Sequence, residues 1–427
     1  MAERHGGVWW HEHRVGHLSK DERGLIHFAY APEWLDGNGF PVSVSLPLGN
    51  GDQPVPAHGF FAGLLPEAGT RQRICRERQL DPADDMGLLL AIGEDCAGAL
   101  SILPGHQVPD ATDEPPAAVT DDQLTQLVRR HGHNLDALTG HPQRFSLAGA
   151  QGKLPIRRDG AQYFHAGGRY PSSHILKFET IRRVCFAEFM ANRLAASIGL
   201  PVVDTEFLFI DTDGDREPYL CVTRYDRHQN EAGELRRLHQ EDALQALGEP
   251  ASMKYQGQGG PGPGEIARLL RAHVDQPALA ISRLRDWQLF NYLCGNRDGR
   301  AKNIALLYPA SDAVPTLAPF YDLVAIEYLN HVGGSRYDRH MALYIGEASL
   351  PERIGREDWE RMAVQLGIPA RPLLKRLEEL AQTLHEITRN CLDDFVARHG
   401  DPGTTEQFFA SIEKRCRWVL QTVLRAR

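Results

Sequence analysis

The segment from residue 173 to residue 223 constrains the fold most. Ser173-His-Ile-Leu-Lys-Phe178 is a short apolar run of strand character from which Lys177 projects. Phe186, Phe189, Met190, Leu194 and Ile198 then recur at helical spacing, and Gly199 followed by Pro201 marks the stop. Val202 to Ile210 and Tyr219 to Thr223 read as a strand pair joined by the turn Asp211-Thr-Asp-Gly-Asp215. That turn is no calcium loop, because its glycine stands fourth rather than sixth and no glutamate closes a loop of about 12 residues. Strand, helix and strand pair in this order predict an α+β lobe. Helical periodicity dominates further on, at Ile281, Leu284, Trp287 and Leu293, then over residues 359–366, 373–387 and 408–424. Short strands are expected at Gly7 to Trp10, Ile26 to Tyr30 and Val42 to Leu46. The 427 residues leave room for two or three domains. The expected division is an N-terminal subdomain (1–104), a proline- and acid-rich linker (105–120), a mixed lobe (121–228) and a helical lobe (229–427). Thr120, with Gln123 three places on, starts a helix as a capping box.

The chemistry is carried by Asp298-Gly-Arg-Ala-Lys-Asn303 and by Asp322 in Pro-Phe-Tyr-Asp. One carboxylate to accept a hydroxyl proton, with oxygen ligands a few residues on to hold magnesium against a triphosphate, is what phosphoryl transfer requires. Asp-x-x-x-x-Asn is the spacing of the protein-kinase catalytic loop, and alone it is a weak signal. Its context strengthens it. Ser146-Leu-Ala-Gly-Ala-Gln-Gly-Lys153 is a small-residue loop ending in a lysine, suited to bringing N–H groups and a cation to phosphates, though it lacks a Walker Gly-Lys-Ser/Thr. Lys177 stands on a strand, as the phosphate-binding lysine of a kinase does. Glu188, early in the following helix, either pairs with Lys177 or is a solvated glutamate on an amphipathic helix.

These residues, together with others that have no general kinase meaning, resemble the HipA-type serine/threonine kinases, toxins of bacterial toxin–antitoxin pairs. The resemblance spans nearly the whole chain. It includes Val-Gly-His-Leu-Ser from Val15, Tyr-Ala-Pro-Glu-Trp34, Ser-Leu-Pro-Leu48, Leu-Leu-Pro-Glu67, Arg-Tyr-Asp-Arg227, Gln-Glu-Asp242, Lys-Tyr255 and Gly-Gly-Pro-Gly262. It implies a protein-kinase-like bilobal fold with an extra N-terminal α/β subdomain and a largely helical C-terminal lobe. It further implies Asp298 as catalytic base and Asn303 and Asp322 as magnesium ligands. For ATP it implies Lys177, Lys153 and the loop residues Ala148, Gly149, Ala150 and Gln151 at the phosphates, with Thr223, Tyr225 and Gln240 around adenine. Ser146 is similar to the serine this family autophosphorylates, although a hydroxyl capping a loop turn is an alternative. The implied partners are a HipB-like helix-turn-helix antitoxin, DNA mainly through that antitoxin, and a protein substrate, an aminoacyl-tRNA synthetase with glutamyl-tRNA synthetase as first candidate. Two positions depart from the family pattern: Arg300 where relatives carry histidine, and Thr223 where they carry an acid. A silent corepressor and a small-molecule kinase are the competing functions; the intact Asp298, Asn303, Asp322 and Lys177 argue against the first, and the N-terminal motifs with Ser146 against the second.

Composition excludes several other classes. Seven scattered cysteines without a Cys-x-x-Cys pair suggest neither a disulfide framework nor a zinc framework. His11-Glu-His13 lacks the spacing of a helical zinc site. A net charge of −9 argues against autonomous nucleic-acid binding over the whole surface, and Arg71, Arg73, Arg76 and Arg78 read first as a solvated helix face. The start of the chain shows no signal-peptide pattern and no apolar run approaches the roughly 20 residues of a membrane span, so a cytoplasmic protein with no membrane association is expected. Gln256 to Gly264, rich in glycine and proline, reads as a mobile loop at the edge of the active site rather than a phosphate cradle, since Pro261 and Pro263 remove donors.

Overall fold

The computed structural model describes residues 5–37, 39–105, 107–109, 116–132, 145–146, 152–168, 170–212, 214–309, 314–332 and 337–425. Strands and helices alternate through the first half and helices dominate the second, so the chain is α+β. It forms two compact units. One comprises residues 1–178, 208–251 and 306–316; the other comprises 179–207, 252–305 and 317–427.

The first unit contains two five-stranded sheets. Strands β1 (Gly6–Trp10), β2 (His13–Lys20), β3 (Ile26–Tyr30), β4 (Val55–Pro56), β5 (Asp95–Cys96) and β6 (Leu100–Pro104) come first, and one sheet has the order β4-β3-β2-β1-β6. Val8, Val15, Leu18, Ile26, Phe28 and Ile102 bury one side of it against Phe61, Leu88 and Leu89 of two short helices. A β-bulge between Val8 and Trp9 shifts the β1–β2 register. Val42 to Leu46, expected as a strand, is instead a turn closed by the single bridge Ser43↔Leu46. Its donors are taken by side chains: Glu241 accepts from Ser43 Oγ at 2.5 Å and Val44 N at 3.0 Å, and the Tyr30 hydroxyl accepts from Val42 N at 2.9 Å. With those N–H groups committed, no sheet neighbour can pair there.

Strand β7 (Phe145–Ser146) pairs in parallel with β5 as a separate two-stranded sheet, and the second five-stranded sheet consists of β8 (Lys153–Asp159), β9 (Gln162–Phe164), β10 (His174–Phe178), β11 (Thr205–Thr212) and β12 (Asp215–Thr223), in the order β11-β12-β10-β8-β9. Leu154, Ile156, Leu176, Phe178, Tyr219 and Cys221 form its core face, with Leu127 and Val128 of the helix Asp121–Arg129. That helix starts with the expected capping box: Gln123 N donates to Thr120 Oγ1 at 3.2 Å and Thr120 N to Gln123 Oε1 at 3.0 Å. The arginines near residue 75 turn inward. Arg71 is held by the Asp85 carboxylate, Arg73 donates to Gly132 O at 2.8 Å and Arg78 to Ala91 O at 3.2 Å, which leaves Arg76 as the exposed member.

The second unit is helical. Phe186 of the helix Val184–Ser197 meets Phe395 at 4.9 Å and Phe408 at 5.4 Å between ring centres, which fixes this helix against Ala370–His399 and Thr405–Trp418. Val202 and Val203 lie outside β11 because Asn192 Nδ2 holds Val203 O at 2.8 Å and Phe320 O takes Val203 N at 3.1 Å. The Gln256 to Gly264 run is divided rather than one loop. Gln256–Gln258 is a 3₁₀ turn and buried Pro263 opens the helix Pro263–His273, with Glu265 accepting from Gly262 N at 2.7 Å. Proline suits the first helical position because the N–H it lacks would have no intrahelical partner there. No helix among the described residues is long and apolar enough to cross a membrane.

Candidate phosphotransfer site

In the second unit, the long helix Pro277–Cys294 ends at Gly295, whose φ of +73° turns the chain out of the helix. The loop that follows is tied back to the last helical turn. Asn296 Nδ2 donates to Asn291 Oδ1 at 3.0 Å, and Asp298 N donates to Asn296 Oδ1 at 3.2 Å. Gly299 passes so close to this helix that a Cβ would lie 2.5 Å from Asn291 Nδ2, so no larger residue fits without displacing the loop. Ala301–Asn303 then forms a 3₁₀ turn, in which Asn303 Oδ1 accepts from Arg300 N at 3.1 Å. Tyr321 donates to Lys302 O at 2.7 Å and brings the Pro-Phe-Tyr-Asp segment to the loop. Asp322 itself has a φ of +55°, a conformation that non-glycine residues hold only under constraint and that clusters at functional sites.

Asp298 lies on the open side of this loop, its side chain 48 % exposed. Oδ1 accepts from Arg300 Nη1 at 3.1 Å and from the Tyr255 hydroxyl at 3.2 Å. Oδ2 has no hydrogen-bond partner among the described residues. Crowding by surrounding protein pushes the Asp298 carboxyl above the ordinary aspartate range; Arg300 and Tyr255 pull it down, while the negative charge of Asp322 adds to the rise. Asn303 is buried. Asn303 and Asp322 each carry a side-chain oxygen of the kind magnesium takes, an ion that keeps waters and substrate oxygens in its shell. No group of three or more His, Cys, Asp or Glu side chains arranged for a metal occurs among the described residues.

The first unit carries the residues expected at nucleotide. Lys153 and Lys177 are directly opposite each other on β8 and β10, and Lys177 is also opposite Leu220 on β12. Because side chains alternate, Lys153, Lys177, Ile175, Leu220 and Val222 all project from the face opposite the Leu176 and Phe178 core. Like charges directly across a sheet repel, so two lysines here favour an anion beside them. Lys177 is buried and Lys153 half-buried. Thr223 ends β12 opposite His174, and the Tyr225 hydroxyl donates to Gln240 Oε1 at 2.6 Å, bringing two of the three expected adenine-side residues together. Glu188 is buried on the helix Val184–Ser197, in the second unit, whereas Lys177 belongs to the first.

Ser146 is fully buried in β7, and its Oγ donates to Leu64 O at 2.8 Å. Ala148, Gly149, Ala150 and Gln151 lie outside the described residues.

The motif Arg-Tyr-Asp-Arg227, together with Asp95 and Gly98, which the sequence does not single out, frames the segment after Thr223. Arg224 donates to Asp226 at 2.7 and 2.9 Å, Arg227 meets Asp95 at 2.8 Å, and Gly98 N donates to Asp226 Oδ2 at 2.7 Å. All four charged side chains are buried. Burial alone would raise both carboxyls, but the neighbouring arginines outweigh it: Asp95 is held far below the usual range and Asp226 at about 2. Tyr255 is the other residue that received no role. Lys-Tyr255 stands in the sequence as a motif, and its contact with Asp298 depends on a chain reversal across a separation of 43 residues that nothing local encodes.

The chain matches the family described as the HipA N-terminal domain over residues 7–103 and that described as the HipA-like C-terminal domain over residues 145–388. It is 33 % identical to the candidate kinase Y4mE of Sinorhizobium fredii, over 98 % of this chain and 99 % of the relative. It is 29 % identical to the serine/threonine-protein kinase toxin HipA of Shewanella oneidensis, over 87 % of this chain and 85 % of that protein. A solved complex of Shewanella oneidensis HipA, HipB and operator DNA contains a chain of the same fold, with a TM-score of 0.80, 24 % identity and 98 % coverage of both chains. With both domain families present in order over most of its length, the chain belongs to the HipA family of kinases.

Proposed function

We propose that this chain is an ATP- and magnesium-dependent serine/threonine protein kinase and the toxin of a toxin–antitoxin pair. The observation that carries the reading is Asp298, a half-exposed carboxylate with Oδ2 open to an incoming hydroxyl, on the same short loop as Asn303 and in Coulombic range of Asp322. Asp298 Oδ2 accepts the proton of a substrate serine or threonine as its oxygen attacks the γ-phosphorus. Asn303 and Asp322 would hold magnesium, which neutralises the phosphates. Lys177 and Lys153 bind phosphate oxygens from their shared sheet face, and Ile175, Leu220 and Val222 beside them suit the apolar faces of a purine. Tyr225 and Gln240, linked to each other, border the base, and Glu188 is assigned the supporting ion pair with Lys177.

Autophosphorylation of Ser146 belongs to this reading. Its hydroxyl is buried in β7, so the modification requires the strand to leave β5 first, and phosphate added there would keep it from returning. The relative solved with HipB and operator DNA supports a HipB-like helix-turn-helix antitoxin as partner, with DNA reached mainly through it. The substrate assignment is an aminoacyl-tRNA synthetase, glutamyl-tRNA synthetase first, in the cytoplasm. We assign 1–104 as the N-terminal subdomain, 105–120 as linker, 121–228 as the nucleotide lobe and 229–427 as the catalytic lobe.

The test is incubation of purified protein with magnesium and ATP beside Asp298→Asn, followed by peptide mass spectrometry and transfer assays on candidate synthetases. Phosphate on Ser146 in the wild type alone supports the kinase. Nucleotide binding without phosphate on any acceptor, from an initially unmodified chain, would return the reading to a silent corepressor or a small-molecule kinase.

A further inference from the structure

Three backbone contacts hold the chain between the end of the helix Pro277–Cys294 and Asp298. Gly295 O accepts from Glu327 N at 3.0 Å, Arg297 O accepts from Ala342 N at 2.8 Å, and Asn296 N donates to Asn291 O at 2.8 Å. Asp298 N is held by a side chain instead. It donates to Asn296 Oδ1 at 3.2 Å, and no other acceptor meets it among the described residues. Asn296 Nδ2 in turn donates to Asn291 Oδ1 at 3.0 Å. Both asparagines are buried, Asn291 completely. The orientation of the two amides follows from one end of this relay. A backbone N–H can only donate, so Asn296 must face Asp298 with its oxygen; its nitrogen then faces Asn291, which must offer an oxygen. The Asn291 nitrogen therefore lies against Gly299, where it has no acceptor among the described residues. An unsatisfied buried donor costs stability, and an apolar side chain at 291 would avoid that cost. The relay is arranged for the N–H of Asp298 rather than for packing.

We propose that Asn296 is a positioning residue for Asp298, oriented by Asn291 from the preceding helix, a role that rests on the phosphotransfer reading above. The N–H of a residue is bonded to the Cα that carries its side chain, so holding that N–H limits rotation about φ and with it the direction of the Cα–Cβ bond. Arg300 and Tyr255 act on Asp298 at the far end, through Oδ1, whereas Asn296 acts at the near end, through the main chain. Held at both ends, the carboxylate keeps Oδ2 toward the incoming hydroxyl. Asn296 itself has no part in the proton transfer; its effect is on how often the carboxylate stands where the transfer needs it. Displacement of a reacting group by about 1 Å costs on the order of 100-fold in rate.

Comparing rate with binding separates a positioning role from a structural one. The experiment uses full-length protein verified by mass to carry no phosphate. Rate is read as single-turnover consumption of γ-labelled ATP with magnesium at about pH 8, well above the aspartate range, counting both label transferred to protein and label released as free phosphate. Binding is read by calorimetric titration of the non-hydrolysable analogue AMP-PNP, and thermal unfolding of each variant sets an assay temperature well below the lowest midpoint. Asn296→Ala is expected to slow consumption by roughly 10- to 100-fold while the AMP-PNP Kd stays within about twofold, the pattern of a group that acts on the chemical step. Asn296→Asp keeps an oxygen for Asp298 N, and Asn291 meets it by turning its amide over, so its rate should lie within about fivefold of wild type, the scale of one neutral hydrogen bond. Asn291→Leu, similar in volume but without an acceptor, should slow the reaction in the same way and by less. A wild-type rate in Asn296→Ala or Asn291→Leu, an Asn296→Asp variant as slow as Asn296→Ala, or a slowed rate matched by an equally weakened Kd would overturn the role while leaving the kinase reading intact. A wild-type chain that consumes no ATP would overturn both.

Discussion

Asp298 is subject to opposing influences: crowding and Asp322 raise its carboxyl, and Arg300 and Tyr255 lower it. On the proposed reading Asp298 is the general base, which works only when ionised, so a raised value means that activity would be lost on the acid side sooner than for a free aspartate, whose midpoint is about 4. The acid limb of kcat against pH is therefore expected above that value. Arg300→Ala, which removes the first of the lowering influences, should move the limb further up, and Arg300→Lys should move it less. A limb that stays fixed in both variants would mean that Arg300 does not act on the base. At this scale the sequence was informative for residues whose spacing is local. Asp298 and Asn303 stand in one short run, and Lys177 in an alternating strand. Tyr255 was not legible as a site residue because its function arises from a contact across the fold, and a Lys-Tyr pair carries no spacing signal of its own.

At the scale of elements, the segment after β12 is held by an ion network rather than by strand pairing. Asp226 is held at about 2 and Asp95 lower still, so each contributes stability that is complete above the unfolded value of about 4 and is lost as pH falls through the folded one. Urea midpoints should therefore begin to fall as pH drops below about 4 and continue falling toward 2. Asp226→Asn should cost roughly 3 kcal/mol at neutral pH, because it leaves Arg224 buried beside a weaker partner, and it should flatten that acid slope. The helices with strong apolar periodicity, and the capping box at Thr120, were readable in advance. Val42 to Leu46 was not: its composition suits a strand, and the carboxylate that accepts from Val44 N and the Ser43 hydroxyl lies almost 200 residues away, at Glu241. Gln256 to Gly264 departs from its loop reading because the N–H that proline lacks, a lost donor for a ligand, is no loss at Pro263, where it opens a helix.

At the scale of the molecule, the compact units do not follow the chain in order. The first is assembled from three stretches separated by long insertions. Ser43 bonds Glu241, Asp95 bonds Arg227, and Glu241 in turn accepts from the Tyr308 hydroxyl at 2.6 Å. A fragment of residues 1–104 would expose the apolar surface covered by these later stretches and would leave Asp95 without its arginines. Expressed alone, it is expected to give poorly dispersed amide NMR spectra and no cooperative thermal transition; a well-dispersed spectrum would show that the N-terminal subdomain is self-sufficient. The reach from Ser43 to Tyr308 also has a consequence in time. On the ribosome the early sheet emerges long before the residues that complete its surroundings. At elongation rates of about 5–20 residues per second, the interval between Ser43 and Tyr308 is on the order of 10 seconds or more. During that interval the Asp298 to Asn303 loop, which ends only a few residues before Tyr308, is still being made. Completion of the first unit and emergence of Asp298 thus fall almost together, so a nascent chain acquires a finished first unit and the carboxylate proposed as its base within the same short stretch of translation.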